Sequence, residues 1–182
     1  FGKNVLPAML NAGERMFAYR FEGYWKDVGT ISSLWEANMD LLGDTPNFDV
    51  ADTAWKIHSR NPLAPPEYFG EGSEIKNSMV ALGCEIYGTV INSVLSSNVV
   101  VEAGAVIKDS VITSGTIVKA GAEVTYSILD ESVTVEEGAV IGEDKDTAKG
   151  IAVLGRGVKV GQNAKIAAGS MIDKNVKDGE EI

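Results

Sequence analysis

The sequence predicts a mainly β solenoid, in which very short strands wind into stacked triangular coils behind a small α/β segment. Three observations carry this. From Val101 the chain repeats every seventeen residues: Val101–Ile107, Val118–Val124 and Val135–Ile141 align, with Gly104, Gly121 and Gly138 in register. The rest of the unit recurs as Asn92-Ser93-Val94-Leu95, Asp109-Ser110-Val111-Ile112 and Tyr126-Ser127-Ile128-Leu129. Lys76-Asn77-Ser78-Met79-Val80 reads as an earlier copy, two residues closer. Second, the aliphatic residues step by six, five and six, as in Val101, Ile107, Ile112 and Val118. Third, beyond the polar stretch Glu143 to Lys149, a pure six-residue step joins Leu154, Val160, Ile166 and Ile172.

Three inward columns per coil define a triangle. A helix would need a period near 3.6 and a two-sided sheet strict alternation, and neither survives here. An ordinary β-sandwich of short strands is the alternative, and it leaves the register of the columns unexplained. Gly155, Gly161 and Ala167 follow the aliphatic residues, where a Cβ would crowd a corner or positive φ is needed. Over roughly residues 75 to 175 the pattern resembles the hexapeptide repeat of the left-handed parallel β-helix. That resemblance implies strands about 4.8 Å apart and coils that fold only against their neighbours.

Composition sets outer bounds. The 182 residues are 45% hydrophobic and 23% charged, as in a globular protein. Twenty-six acidic residues against sixteen basic ones give a formal charge of -10, which argues against a nucleic-acid partner. One cysteine, Cys84, cannot form a disulfide framework or an all-cysteine zinc site, and a reducing, cytoplasmic setting is expected. No apolar run approaches the length of a membrane span, so no membrane partner is expected. Phe1-Gly2-Lys3-Asn4 does not read as a signal peptide, and the chain is expected to be a piece of something longer.

Proteins with hexapeptide coils include acyltransferases, which use a histidine base, and carbonic anhydrases, which hold zinc on three histidines. The only histidine here is His58, ahead of the first repeat, and it reads as a linker residue. Cys84 stands among apolar residues and is expected to be buried and inert. The coils therefore read as architecture.

Residues 1–43 differ in character. Lys3 to Gly13 predicts a short helix with Val5, Leu6, Met9 and Leu10 on its apolar face, and Met16–Phe21 predicts a strand. After a turn at Gly23, Thr30 is the expected N-cap of a helix carrying Ile31, Leu34, Trp35 and Leu42 and ended by Gly43. Asp27 thus falls where a strand gives way to a loop and helix, a common address for ligand groups. Trp25 and Trp35 are expected in the core. Residues 44–70, with Pro46, Pro62, Pro65 and Pro66, read as an ordered linker, and 71–182 as the β-helix.

Tyr24-Trp25-Lys26-Asp27-Val28-Gly29-Thr30, followed by Leu34-Trp35-Glu36-Ala37-Asn38-Met39-Asp40-Leu41-Leu42, closely resembles the glucose-1-phosphate adenylyltransferases. Phe1–Pro7 and Asn61-Pro62-Leu63-Ala64-Pro65-Pro66-Glu67-Tyr68-Phe69 resemble the same family. A Trp-x-Asp-x-Gly-Thr match alone would indicate only the wider sugar-1-phosphate nucleotidyltransferases. The resemblance implies an intact enzyme that makes ADP-glucose and pyrophosphate from ATP and glucose-1-phosphate for glycogen synthesis. It implies that residues 1–43 are the end of a catalytic domain, that Asp27 helps hold magnesium, and that the parent is an allosteric homo-oligomer, typically a homotetramer. The same resemblance places the Gly-rich nucleotide loop, its arginine and lysine, the second aspartate and the sugar-phosphate lysine upstream of Phe1. No Gly-rich nucleotide loop is read ahead of the repeats, so the chain by itself is expected to be inactive, with no catalytic or nucleotide-binding residue of its own. A guanylyl- or uridylyltransferase and a catalytically silent regulatory homologue remain as alternatives.

Overall fold

In the computed structural model, residues 1–59 and 62–182 are described. Arg60 and Asn61, the latter opening the Asn61–Phe69 motif, lie outside the described residues. Among the described residues, eighteen short strands form three parallel six-stranded faces. The first face stacks β1 (Tyr68–Phe69), β4 (Glu85–Ile86), β7 (Val100–Val101), β10 (Ile117–Val118), β13 (Thr134–Val135) and β16 (Lys159–Val160). The second stacks β2 (Glu74–Lys76), β5 (Thr89–Ile91), β8 (Val106–Lys108), β11 (Glu123–Thr125), β14 (Val140–Ile141) and β17 (Lys165–Ile166). The third stacks β3 (Met79–Val80), β6 (Val94–Leu95), β9 (Val111–Ile112), β12 (Ser127–Leu129), β15 (Ala152–Leu154) and β18 (Met171–Ile172).

The register follows the seventeen-residue repeat. Val118 pairs with Val101 and Val135, Val124 with Ile107 and Ile141, and Leu129 with Ile112 and Leu154. Each of these aliphatic residues is fully buried, so all three columns point inward as the step pattern requires. Burying a branched aliphatic side chain stabilises by about 1.5–3 kcal/mol, and the columns repeat this gain coil after coil. Ile141 pairs with Ile166 across twenty-five residues where Val124 and Ile141 are separated by seventeen. The polar stretch after Gly142 supplies the surplus as a loop outside the triangle. β1 starts within the segment read as linker, so the first coil begins ahead of residue 71. The peptide after Pro66 is already paired: Tyr68 N–H donates to Cys84 O and Gly70 N–H to Ile86 O.

The corners explain the polar part of the repeat. Asn77, Asn92, Asp109 and Tyr126 all have positive φ, between 44° and 50°, a conformation that short polar side chains tolerate best. The hydroxyls of the serines after the first three, Ser78, Ser93 and Ser110, are shared between coils. Ser93 Oγ donates to Ile91 O at 2.7 Å and accepts from Ser110 N at 3.0 Å. Ser110 Oγ does the same with Lys108 O at 2.7 Å and Ser127 N at 3.1 Å. One hydroxyl thus ties a carbonyl of its own coil to the buried serine N–H of the next, which has no strand partner there. Gly104, Gly121 and Gly138 hold φ of 77°, 67° and 66°. Gly161 is required by space, since a Cβ there would lie 2.4 Å from Asp178 N. Gly155 has no such constraint: its nearest neighbour would be 3.4 Å away.

At its last coil the solenoid is covered by its own tail. Val176 bridges to Val160 and Glu181 to Lys165, while Asn175 and Asp178 side chains accept from Lys159 N and Gln162 N, both at 2.9 Å.

Ahead of the coils stand two helices, α1 (Val5–Asn11) and α2 (Ile31–Met39). The strand expected at Met16–Phe21 does not form. Its alternation is present in the sequence, but a strand needs a neighbour for its N–H and C=O groups, and all described strands belong to the solenoid. The apolar residues of α1 are exposed for the same lack of a packing partner. Trp25, expected in the core, is 76% exposed.

Replacing Val124 with Asp should unfold the solenoid, because an unpartnered carboxylate in the inner column costs several kcal/mol against a total stability of about 5–15 kcal/mol. Thr125→Asp, one position on and partly exposed, should change stability by roughly 0.5 kcal/mol or less. Thermal melts of the two variants test the phase of the columns; the reverse order of damage would refute it.

Candidate functional site

The segment Tyr24 to Asp40 forms a loop fastened onto a helix. Thr30 is the N-cap, as its position before Ile31 predicted: Ser33 N–H donates to Thr30 Oγ1 at 3.1 Å, and Thr30 N–H donates to Ser33 Oγ at 3.0 Å. Such a reciprocal box satisfies two of the N–H groups that a helix start leaves unpaired. Just before it, Gly29 N–H donates to Asp27 Oδ1 at 3.0 Å, closing a tight turn.

The other end of the fastening was not read from the sequence. Lys26 reaches Asp40 Oδ2 at 2.8 Å and Glu36 Oε2 at 3.2 Å. Tyr24 donates its hydroxyl hydrogen to the same Asp40 oxygen at 3.0 Å, and Asn47 Nδ2 donates to Asp40 Oδ1 at 3.0 Å. Asp40 also fixes where the helix stops. Its backbone carbonyl accepts from Asn47 N at 3.0 Å rather than continuing the helical ladder. The helix therefore ends at Met39, ahead of the expected stop at Gly43, whose φ of 96° serves the turn that follows. No local signal points to this cluster, because Lys26 and Asp40 are fourteen residues apart and meet only once the loop folds back.

The charges in this cluster reinforce one another. The Lys26 hydrogen bond, with Asn47 second, holds the Asp40 carboxyl below the ordinary aspartate range. Asp40 in turn raises the Lys26 ammonium. Partial burial and then the Asp40 bond push the Tyr24 phenol up.

α2 is the only part of residues 1–59 with a buried side chain, and that side chain is Trp35, 9% exposed. Its Nε1–H donates to the backbone carbonyl of Asp109 at 2.7 Å, and its ring meets Tyr126 edge-on at 5.0 Å between centroids. Val111, Ile128 and Ile151 complete the cluster from the third face of the solenoid. Lys145, on the loop that interrupts the repeat, stands over the indole at 5.8 Å. Of the expected apolar face, Ile31 joins Trp35 in packing, whereas Leu34 is exposed.

Asp27 is exposed at the outer edge of this assembly, with Oδ1 engaged by Gly29 and no other carboxylate in hydrogen-bond contact. Among the described residues no three His, Cys, Asp or Glu gather closely enough to hold a metal ion. With Oδ1 engaged by Gly29, Asp27 could offer its other oxygen as one ligand of the hard donor type that a cation such as magnesium takes. His58 is exposed in irregular chain and joins no cluster. Cys84 is fully buried, donates to Ser96 O at 3.0 Å, and its thiol is pushed up by burial, as expected of an inert sulfur. No helix among the described residues is long and apolar enough to cross a membrane.

A solenoid of short repeated coils behind a capped loop and helix defines a two-part architecture, and comparison assigns each part. Residues 67–151 match the family described as GlmU-like, C-terminal hexapeptide, which fits a left-handed β-helix, and residues 1–44 match the nucleotidyl transferases. Across both parts the chain is homologous to glucose-1-phosphate adenylyltransferases. The one from Acetivibrio thermocellus is 41% identical over 177 residues, covering 97% of this chain and 36% of that protein. Those from Clostridium perfringens strain SM101 and Clostridium acetobutylicum are 53% and 52% identical over 109 and 107 residues, 60% and 59% of this chain and 28% of each relative. The chain therefore spans about a third of the length of these relatives.

The Asp40 cluster has a pH signature. A carboxylate whose folded pKa is depressed adds stability above its unfolded value and loses it as pH falls through the folded one. The stability difference between the parent and Asp40→Asn should be constant at neutral pH and shrink as pH drops below the ordinary aspartate value of 3.8. Melts across that range would show it, and a difference that stays level throughout would mean Lys26 and Asp40 are not coupled.

Proposed function

We propose that this chain is the assembly and regulatory part of a glucose-1-phosphate adenylyltransferase, with the loop at Asp27 contributing to the active site of the longer enzyme. The observation that supports it best is the 41% identity running through 97% of the chain, across both the nucleotidyl transferase segment and the coils. In the reaction a phosphate oxygen of glucose-1-phosphate attacks the α-phosphorus of ATP. The bond to the bridging oxygen of the β-phosphate breaks, and pyrophosphate leaves with that oxygen's electron pair. Negative charge gathers on oxygens throughout, so positioning and electrostatic stabilisation dominate. Magnesium, when bound, would neutralise part of that charge. Asp27 would give it one ligand, and the Gly29 N–H holds the carboxylate's other oxygen in a fixed orientation.

The coils take the supporting role. They carry no histidine, and their aliphatic columns and corner serines are all accounted for by packing. A homo-oligomer, tetrameric in the intact enzyme, is the assembly we infer. Allosteric control through the same region and a cytoplasmic location, consistent with one reduced, buried cysteine, belong to this reading.

The 182-residue chain alone should form no ADP-glucose from ATP, glucose-1-phosphate and magnesium, whereas Asp27→Asn in the longer enzyme should lower turnover at least about 100-fold, as loss of a charge-stabilising group typically does. Turnover by the isolated chain that vanishes in Asp27→Asn would contradict the proposed division of labour. Sedimentation of the chain should give a dimer or larger; a monomer at high concentration would count against the assembly role.

A further inference from the structure

We infer that Trp35 is a positioning residue for the Asp27 loop, through which the solenoid sets where that carboxylate stands. The inference rests on the reading of Asp27 as a magnesium ligand and adds how it is held. The path has three links, each a direct contact. Trp35 ties α2 to the third face through the Asp109 carbonyl, at 2.7 Å, and the edge of Tyr126. Lys26 ties the loop back to α2 through Glu36, one residue beyond Trp35, and through Asp40. The Thr30–Ser33 box and the Asp27–Gly29 turn then connect the start of α2 to Asp27 itself.

Ile31 and Met39 pack beside the indole and are half-buried, so Trp35 is the central anchor of α2 rather than its sole contact. Every other described residue of 1–59 is at least partly exposed, and a nine-residue helix is marginal in water on its own. The helicity of α2, and with it the loop geometry, depends on the indole's seat. That seat is also where the repeat is interrupted. Lys145 stands over the Trp35 ring, and its neighbour Asp144 pairs with Lys108 on β8 at 2.7 Å. The loop Glu143 to Lys149 thus touches both the solenoid face and the residue that carries α2. A shift in those coils would reach Asp27 through Trp35.

Two measurements test this, one of them independent of the metal. In the 182-residue chain, hydrogen exchange should be at least tenfold faster in segment 24–40 of Trp35→Ala, with the central coils within twofold of the parent. Trp35→Phe, which keeps a ring and loses only the N–H, should give a smaller increase, about threefold, in the same segment, and it decides the matter if the alanine variant aggregates. Parent-like exchange in 24–40, or equal acceleration of the coils, overturns the inference. In the longer enzyme, Trp35→Phe should raise the magnesium concentration for half-maximal rate at least fivefold while the KM for glucose-1-phosphate stays within twofold. A purely structural role would lower the active fraction and leave the magnesium requirement unmoved, which also overturns it. Asp27→Asn serves as the control. If it leaves the magnesium dependence unchanged, the metal reading fails, and the exchange data still judge the positioning claim.

Discussion

Every coil of this solenoid takes its hydrogen-bond partners from the coil before and the coil after. Val118 is paired on one side with Val101 and on the other with Val135, and the same holds around the triangle. This constraint organises the rest. It demands parallel strands in register, so the inward residues must recur at a fixed spacing. It forbids a Cβ at Gly88, where the backbone of the next coil at Ala105 passes too close. It also explains why serine recurs at the corner: the hydroxyl bridges two coils where the strand ladder has ended. A residue that packs well within its own coil but fails to match its neighbours would gain nothing, because no coil buries its apolar side alone.

The part ahead of the coils obeys a different economy. It has no ladder to join, so its order comes from side chains: an indole, two carboxylates and a lysine. Trp35 supplies the apolar contact, and its N–H removes the cost of an unpaired donor by reaching a corner carbonyl. That corner belongs to Asp109, one of the positions with positive φ. Tyr126, the next corner down, also holds positive φ, at 44°, despite a bulky ring that gains nothing from that conformation. The edge contact with Trp35 offsets the strain, which for a left-handed residue is about 1–2 kcal/mol. The break in Asn-Asp usage at position 126 is thus a mark of where α2 docks.

The coils were legible because a stacked repeat writes its geometry into the chain many times over. One misplaced residue is outvoted by the same column in five other coils. The inner columns and the glycines at 104, 121 and 138 could be read in this way, whereas Gly155 follows the pattern without a structural need for it. The front segment offered one copy of each signal. The Thr30 cap was readable, since capping is local in sequence. The strand at Met16–Phe21 was not, because its alternation is a statement about a neighbour that the described fold does not provide. Trp25 and Trp35 look alike in sequence, ten residues apart and each followed by a charged residue. Only the folded chain distinguishes them: one turns toward the solenoid and the other stays exposed. The ion cluster at Asp40 was invisible for a related reason, since its members have no periodicity and gain meaning from the loop's return.

Two kinds of order therefore meet at the third face, and they answer to different conditions. The inner columns are aliphatic throughout, so pH and salt act on them weakly. The mount of α2 is largely ionic at its outer side, where Lys26, Glu36 and Asp40 are partly solvated and open to screening. Local stability is lowest where buried apolar contacts are few, and in residues 1–59 there is one such buried side chain. The front segment can therefore loosen while the coils remain intact. The Asp27 carboxylate is consequently carried on the less stable of the two parts, and its placement depends on how firmly Trp35 stays seated on the more stable one.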